Sequence, residues 1–365
     1  MATSILDQVL SSQKQSAISQ FDPEQVAAKL FSILSEREQD ILVRRYGLKG
    51  KEKMTLEEIG KQYSVTRERI RQVENASINK ILSEYRDSLL RDLEALIRDV
   101  LEDHGELMSE NRLVQNLLDT DAESDQSKAL VHFMLNQLLA ERLQLVRESD
   151  AVYKTWSLQA ARWDEFHSII DRLVEIIKKH NEPLRLEQLL DRARGAVSVP
   201  EDDFERILVN YLDVTKKIEE NRFNEWGLSH WSLIRPRRMN DKIYLILKRE
   251  TKPLHFVEIA KRINDSNFDK RVAYPATIHN ELILDDKYVL VGRGIYALKE
   301  WGYKPGVVLD VIKDILRENG AMSKEEIITA VLKNRMVKRS TVVLALMNKK
   351  FFAKDQDGRY VLVQS

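Results

Sequence analysis

One short stretch carries side chains that can form directional hydrogen bonds with nucleic-acid bases. Positions 66–75 read TRERIRQVEN, and the polar members of interest are Thr66, Arg67, Glu68, Arg71, Gln72 and Asn75. Arginine suits guanine, glutamine and asparagine suit adenine, and glutamate accepts from the cytosine amino group. Because a solvated helix face would carry the same charges, the residue types by themselves leave both interpretations open.

The residues around this stretch predict two helices that hold it in place. Apolar positions at helical spacing are Leu56, Ile59 and Tyr63 in the first helix and Ile70, Val73 and Ile81 in the second, with the small Ser77 on the same side. Thr55 with Glu58 forms a capping box, and Thr66 is placed to cap the second helix. The spacing therefore predicts a helix-turn-helix, whose second helix presents polar groups from its N-terminal turns.

Charge confines any nucleic-acid contact to a local footprint. The chain has 58 Lys and Arg against 58 Asp and Glu, so its formal net charge is zero. Non-specific DNA affinity comes mainly from phosphate neutralisation, which a neutral chain cannot supply over its whole surface. The segment from Lys61 to Lys80 contains five basic residues and two Glu, so its net charge is +3.

The composition excludes several classes of protein. The 365 residues include no cysteine, so disulfides, thiolate zinc sites and cysteine nucleophiles are absent. No window is apolar enough to span a membrane, and the first residues lack the pattern of a signal peptide. We therefore expect a cytoplasmic protein of two or more domains.

Part of the chain resembles region 4 of the bacterial sigma-70 family factors. The similarity rests on LSEREQDILVRRYGL (Leu34–Leu48) and TLEEIGKQYSVTRERIRQVE (Thr55–Glu74), within residues 31–83. In that family, region 4 binds the upstream promoter element and docks on the flap of the polymerase β subunit. The resemblance therefore implies promoter DNA and the RNA polymerase core as partners, although a helix-turn-helix of another family remains an alternative.

The resemblance also implies roles for single residues. Arg67, Glu68 and Gln72 would read bases, whereas Arg71 and Thr66 would lie near the DNA backbone. The sequence lacks a counterpart of the family's regions 2 and 3, which melt the promoter and clamp the core enzyme. A regulator or auxiliary polymerase-associated factor is therefore a better expectation than a self-sufficient sigma factor.

The rest of the chain shows an internal repeat of about seventy residues. Each copy has an amphipathic helix, a turn, a second and a third helix, and then a sequence pattern typical of two β-strands. The equivalent turn residues are Met108, Leu184, Leu254 and Met322. Three helices with a hairpin and a short strand after the first helix predict a winged helix. We expect a mainly α protein, a region 4-like helix-turn-helix followed by four tandem winged-helix repeats with α+β character.

The predicted domain boundaries follow from these patterns. They are an N-terminal helical segment at 1–30, the helix-turn-helix at 31–83, and winged helices at 88–158, 163–233, 237–303 and 305–365. The third copy, with KPLHFVEIA from Lys252 and VGRGIYALKEWG from Val291, resembles the HARE-type helix-turn-helix of the RNA polymerase δ subunit. In that family the module binds DNA or proteins, so the resemblance leaves its role open.

The third helices of the repeats differ in charge. The acidic run Pro200–Glu205 in the second copy would be repelled by phosphates, and we assign that helix to protein contact or structure; the first copy is structural. The fourth copy is the most basic, and Lys338 and Arg339 are predicted to make weak DNA contacts, with a solvated face as the alternative.

The remaining chemistry points to binding rather than catalysis. Gly292-Arg293-Gly294 is better explained as a hairpin turn than as a phosphate loop. We expect no enzyme activity, no cofactor, no metal, no membrane association and no small-molecule substrate. The sequence therefore predicts a sigma-like DNA-binding transcription factor. The alternatives are a polymerase-associated scaffold that does not bind DNA, and the DNA-targeting subunit of a nuclease or modification system.

Overall fold

The computed structural model describes residues 21–118, 124–303 and 306–363. Most of the predicted N-terminal segment, residues 1–20, lies outside this description. The chain is mainly helical with small antiparallel sheets. Residues up to Glu219 form one compact unit, and residues from Glu220 onward form a second. Within the described ranges, none of the helices has both the length and the apolar content needed to cross a bilayer.

The first unit begins with the helices around the predicted helix-turn-helix. They are α1 (Pro23–Phe31), α2 (Glu36–Tyr46), α3 (Leu56–Gln62) and α4 (Arg67–Glu84). Asp22 caps α1, whose first residue is Pro23. Ser35 and Glu38 form a capping box at the start of α2, and Thr55 and Glu58 form the predicted capping box of α3. In both boxes the two side chains belong to residues three positions apart, so each bond is local to the helix start.

The next elements along the chain continue the helical pattern, with short strands between the helices. Their bounds are α5 (Leu89–Asp103), β1 (Leu107–Ser109), α6 (Glu110–Leu117), α7 (Asp125–Phe133, continued by a π turn at Met134–Leu138), β2 (Gln144–Val146), β3 (Thr155–Ser157), α8 (Trp163–His180), β4 (Leu184–Arg185), α9 (Leu186–Ala193), α10 (Phe204–Val214) and β5 (Ile218–Glu220). Strand β3 lies between β1 and β2 and is antiparallel to both.

The helix-turn-helix and the first repeat share one hydrophobic core. Leu30 and Leu42 from α1 and α2 belong to the same buried cluster as Leu113 and Trp156 from the first repeat. Phe133 at the end of α7 joins the two sides: its ring lies 5.8 Å from that of Phe31 and 4.9 Å from that of Tyr46, between centroids. The predicted boundary between residues 83 and 88 therefore separates two modules that are packed together.

The second unit contains two helical modules with small sheets. Its elements are β6 (Glu225–Leu228), α11 (Met239–Glu250), β7 (Leu254–His255), α12 (Phe256–Asp265), α13 (Pro275–Leu284), β8 (Tyr288–Gly292), β9 (Ile295–Leu298), α14 (Val308–Asn319), α15 (Lys324–Asn334), α16 (Arg339–Leu346), β10 (Phe352–Lys354) and β11 (Tyr360–Leu362). Strand β9 pairs antiparallel with both β7 and β8, and β10 pairs with β11.

The last module departs from the expected sheet. The sequence predicts a short strand at Ala321-Met322, as in the other copies. Met322 instead makes a single antiparallel bridge to Tyr360, and the strand does not extend beyond this pair. Its core nevertheless closes around Ile312, Ile328 and Val342, which are all fully buried.

Candidate nucleic-acid interface

The turn between α3 and α4 has a geometry that depends on one glycine. A Cβ added to Gly60 would lie 2.8 Å from the carbonyl oxygen of Val65, closer than real Cβ contacts. Val65 N–H donates to the carbonyl of Gly60 at 2.9 Å. Ser64 takes a left-handed conformation, with φ of 53°. Glycine in α3 thus allows the chain to reverse close to the helix and start α4 at a fixed angle.

The inward side of α4 is held by apolar packing and by one buried carboxylate. Ile70 and Ile81 are fully buried. Glu74, only 7% exposed, accepts hydrogen bonds from the Tyr46 hydroxyl at 2.7 Å and from Arg45 Nε at 3.2 Å. Burial and the bond to Glu74 raise the pKa of Tyr46, so this phenol stays protonated. Glu74 thereby fixes the rotation of α4 on α2.

A second carboxylate connects α2 to the end of α3. Asp40 accepts from Arg44 Nε at 2.6 Å, from Lys51 Nζ at 2.9 Å and from the Tyr63 hydroxyl at 2.5 Å. Burial raises the pKa of Asp40, but the three hydrogen bonds outweigh burial and hold that pKa well below its usual range. The carboxylate therefore stays charged and ties the loop, α2 and the turn together.

The outward side of α4 carries the residues predicted there to contact DNA. All six are exposed: Thr66, Arg67, Glu68, Arg71, Gln72 and Asn75. The Thr66 hydroxyl accepts from the Arg69 amide at 3.2 Å, so it caps α4 as predicted. The structure thus brings the predicted residues together on one solvent-facing surface, which we call the α4 face.

Two side-chain pairs order the α4 face. Arg71 donates to both oxygens of Glu68, at 2.9 and 2.6 Å. This pairing lowers the pKa of Glu68 and raises that of Arg71. Arg69 Nη1 donates to the Gln72 carbonyl oxygen at 3.2 Å, which leaves the Gln72 amide nitrogen as a donor. The polar tips are therefore oriented relative to one another before any ligand arrives.

Two residues of this site were missed by the sequence reasoning. Arg69 is exposed in the first turn of α4 and orients Gln72. Glu74 lies on the buried side and positions the helix. Its signal was present, since position 74 falls at helical spacing between Ile70 and Ser77, where a charged residue requires a buried partner.

The basic residues of the fourth repeat are less uniform than their sequence suggests. Lys338 and Arg339 are exposed at the start of α16, and Arg339 forms an ion pair with Glu325. Arg335, only 4% exposed, donates to the backbone carbonyls of Leu290 and Gly306. Its charge is thus turned inward, and the DNA contact predicted for Lys338 and Arg339 stays a prediction.

The fold and the exposed polar side of α4 define a helix-turn-helix. Residues 30–81 match the family model described as sigma-70, region 4. The chain is 48% identical over 63 residues to an RNA polymerase sigma factor, SigA1, of Synechococcus elongatus, with 17% of this chain covered. It is 47% identical over 64 residues to SigA of Nostoc sp. and 44% identical over 64 residues to SigA of Lactococcus lactis subsp. cremoris, with 18% of this chain covered in each comparison.

These matches concern one module of the molecule. The chain spans 16% of the length of the first two relatives and 18% of the third. The matched segment contains the capping boxes, the turn at Gly60 and the whole α4 face. The similarity to region 4 stated from the sequence is therefore confirmed for this segment.

Proposed function

We propose that this protein is a sigma-like DNA-binding transcription factor that acts in transcription initiation or its regulation. The observation that carries the proposal is the α4 face: six exposed polar side chains on a helix that is fixed from behind by Glu74 and Ile70. The similarity of residues 30–81 to sigma-70 region 4 supports promoter DNA as the ligand.

The proposed complex places the first turns of α4 in the major groove. Arg67 donates to a guanine edge, Glu68 accepts from a cytosine amino group, and Gln72 bonds an adenine. Arg71 and Thr66 lie beside phosphates. There Arg71 either replaces its hydrogen bond to Glu68 with one to a phosphate or donates to both groups. Asn75, one turn after Arg71, reaches the rim of the groove.

The remaining modules extend the proposal. We propose that the predicted copies are four winged helices, the third of HARE type, and that the protein contacts the RNA polymerase core through its β flap. The order of helices and short antiparallel strands supports the winged-helix assignment. The protein would thus be a cytoplasmic binding protein rather than an enzyme, acting without a cofactor.

The test begins with the full-length chain and duplexes selected from a random library, since the target sequence is unknown. Fluorescence anisotropy then compares a selected duplex with a scrambled one. Arg67→Ala and Gln72→Ala should each weaken binding to the selected duplex by about 1–3 kcal/mol and leave the scrambled duplex nearly unaffected.

The matched control is Asn79→Ala, which removes an exposed polar side chain from a later turn of the same helix. This variant should bind like the wild type. If Arg67→Ala and Gln72→Ala also bind the selected duplex like the wild type, the α4 face does not read DNA. If selection yields no preferred sequence, the promoter assignment fails.

One observation favours the scaffold as a second candidate. The third helices of the first unit make intrachain contacts: α7 packs on α1 through Phe133 and Phe31, and α10 bonds to the turn before β1 through Tyr211 and Gly105. A chain built from such docking helices suits protein assembly. Retention of polymerase by a variant that has lost DNA binding would support this candidate.

A further inference from the structure

The third helices of the modules in the first unit serve as docking elements. On α7, the ring of Phe133 packs against Phe31 and Tyr46, and Gln126 donates to Glu24 at 3.0 Å. These contacts join the first repeat to the helix-turn-helix. The helix position that would read DNA in a winged helix is here used to bind protein.

The third helix of the second repeat is used in the same way. On α10, Asn210 donates to the carbonyls of His104 and Leu107, both at 2.7 Å. Tyr211 donates to the Gly105 carbonyl at 3.1 Å, and a Cβ at Gly105 would meet its hydroxyl at 2.7 Å. The glycine in this turn therefore leaves the space into which α10 packs.

The third helix of the last module has an apolar outer side. In α16, Val342 and Leu346 are buried in the module's core, whereas Leu344 and Met347 are 70% and 66% exposed. At 100° per residue, Leu344 and Met347 lie side by side, opposite the buried pair. Such exposed leucine and methionine side chains are adaptable contacts for an apolar partner surface.

Two exposed lysines, Lys349 and Lys350, follow this apolar pair along the chain. At the N-terminal end of α16, Lys338 is also exposed, whereas Arg339 is paired with Glu325 and lies on the side of the helix that carries Val342 and Leu346. Residues 306–363 carry eleven Lys and Arg against seven Asp and Glu, and without Arg335, whose guanidinium is buried against backbone carbonyls, the net charge is +3. An apolar centre with a charged rim is the usual anatomy of a protein interface, and the rim selects an acidic partner.

We propose that the outer side of α16 binds an acidic amphipathic helix of another protein, with Leu344 and Met347 as apolar anchors and the flanking lysines as the charged rim. This use replaces the weak DNA contact predicted for the fourth repeat, because a duplex backbone offers phosphates where α16 presents hydrocarbon. It is independent of DNA binding by α4.

A helix of the same chain provides an internal control. In α13, Ile278 and Leu282 are buried at the positions equivalent to Val342 and Leu346, and Ile283 is exposed like Met347. Glu281 is charged within α13, and Asp285 and Asp286 accompany Lys287 just after the helix, so the apolar side of α13 lacks a net basic rim. An acidic helix should therefore distinguish α16 from α13.

The test uses the full-length protein and a fluorescein-labelled designed peptide of about five helical turns. The peptide has leucines along one side and glutamates elsewhere, and its controls are a scrambled order and a version with lysines for glutamates. Anisotropy should show salt-dependent binding of the acidic amphipathic peptide and weaker binding of both controls.

Variants locate the site. Leu344→Ser with Met347→Ser should weaken peptide binding by about tenfold or more, as expected for loss of interface anchors. Lys349→Glu with Lys350→Glu should weaken it and reduce its salt dependence, whereas Ile283→Ser should leave it unchanged. Circular dichroism checks that the exposed substitutions keep the fold.

Two outcomes would overturn the proposal. One is equal binding of the scrambled peptide or of the serine double variant. The other is a combination of two results: the wild type does not bind the peptide, and the serine or glutamate double variant binds the scrambled duplex more weakly than the wild type does. That combination would assign α16 to DNA. Binding of the selected duplex through α4, measured in the same preparations, reports separately on the proposed function.

Discussion

The core shared by the helix-turn-helix and the first repeat gives a quantitative prediction for Phe133→Ala. The Phe133 side chain is 2% exposed and its ring contacts those of Phe31 and Tyr46. Replacing a buried phenylalanine with alanine costs about 3–5 kcal/mol of stability. Loss of the aromatic pairs contributes to this cost beyond the loss of buried area. The loss falls on the contact that joins α7 to α1 and α2.

The assay is hydrogen exchange of the full-length chain, followed by mass spectrometry of peptides from α2 and α4. Loss of about 3 kcal/mol or more from the opening free energy of α2 speeds its exchange by about 100-fold or more. The matched control is Phe166→Ala, because Phe166 is equally buried but packs on Trp163 and Tyr211 instead. This control should leave the hydrogen-exchange rates of α2 nearly unchanged.

The reasoning is refuted if α2 and α4 keep their wild-type exchange in Phe133→Ala while the first repeat opens. The helix-turn-helix would then be stable without its neighbour. If exchange of α2 rises as predicted, the same variant should also weaken duplex binding, because the α4 face would lose its fixed support.

The remaining predictions concern the supports of α4 and the first repeat. Glu74→Ala should lower the free energy of unfolding in urea by about 1–3 kcal/mol, because the Tyr46 hydroxyl and Arg45 lose their hydrogen-bond acceptor. As a control, replacing the exposed Glu84 with alanine should change the free energy of unfolding by no more than about 0.5 kcal/mol. Gly60→Ala should lower the melting temperature despite alanine's helix propensity, since its Cβ would meet the Val65 carbonyl; an unchanged or higher value contradicts the assigned turn. Burial raises the pKa of Glu110, but bonds from His132, Lys154 and Trp156 outweigh it and lower that pKa from 4.5 to about 2. The charged form therefore stabilises the fold above about pH 4.5, and stability of order 1–3 kcal/mol should be lost as the pH falls toward 2. Glu110→Gln should flatten this loss in acid unfolding curves; an unchanged curve would exclude the assigned role.

Local signals in the sequence predicted the helix starts and the exposed side of α4. Ser35 with Glu38 and Thr55 with Glu58 are three residues apart, so the bonds they form require no knowledge of tertiary structure. The outward position of Arg67 and Gln72 follows from helical spacing in the same way. The similarity to a known family added the expected ligand of this helix-turn-helix.

The contacts between distant segments could not be read in the same way. Nothing in the sequence around Phe133 indicates that its ring packs against those of Phe31 and Tyr46. The basic character of the fourth repeat was visible, yet the turn that buries Arg335 against backbone carbonyls depends on packing. Charge counted along the chain therefore overestimated the charge that this module presents to solvent.

The small basic footprint of α4 has a consequence for how the protein would stay on DNA. A net charge of +3 over Lys61–Lys80 neutralises about three phosphates, which gives a log–log salt slope of about −3. Electrostatic attraction of that size is weak at physiological salt, so base contacts from Arg67 and Gln72 would select a sequence without holding it for long. If the acidic partner proposed for α16 is itself held beside the same DNA, this second contact would raise the effective concentration of α4 at its site. Promoter recognition would then depend on two weak contacts made together, and neither surface would need high affinity by itself.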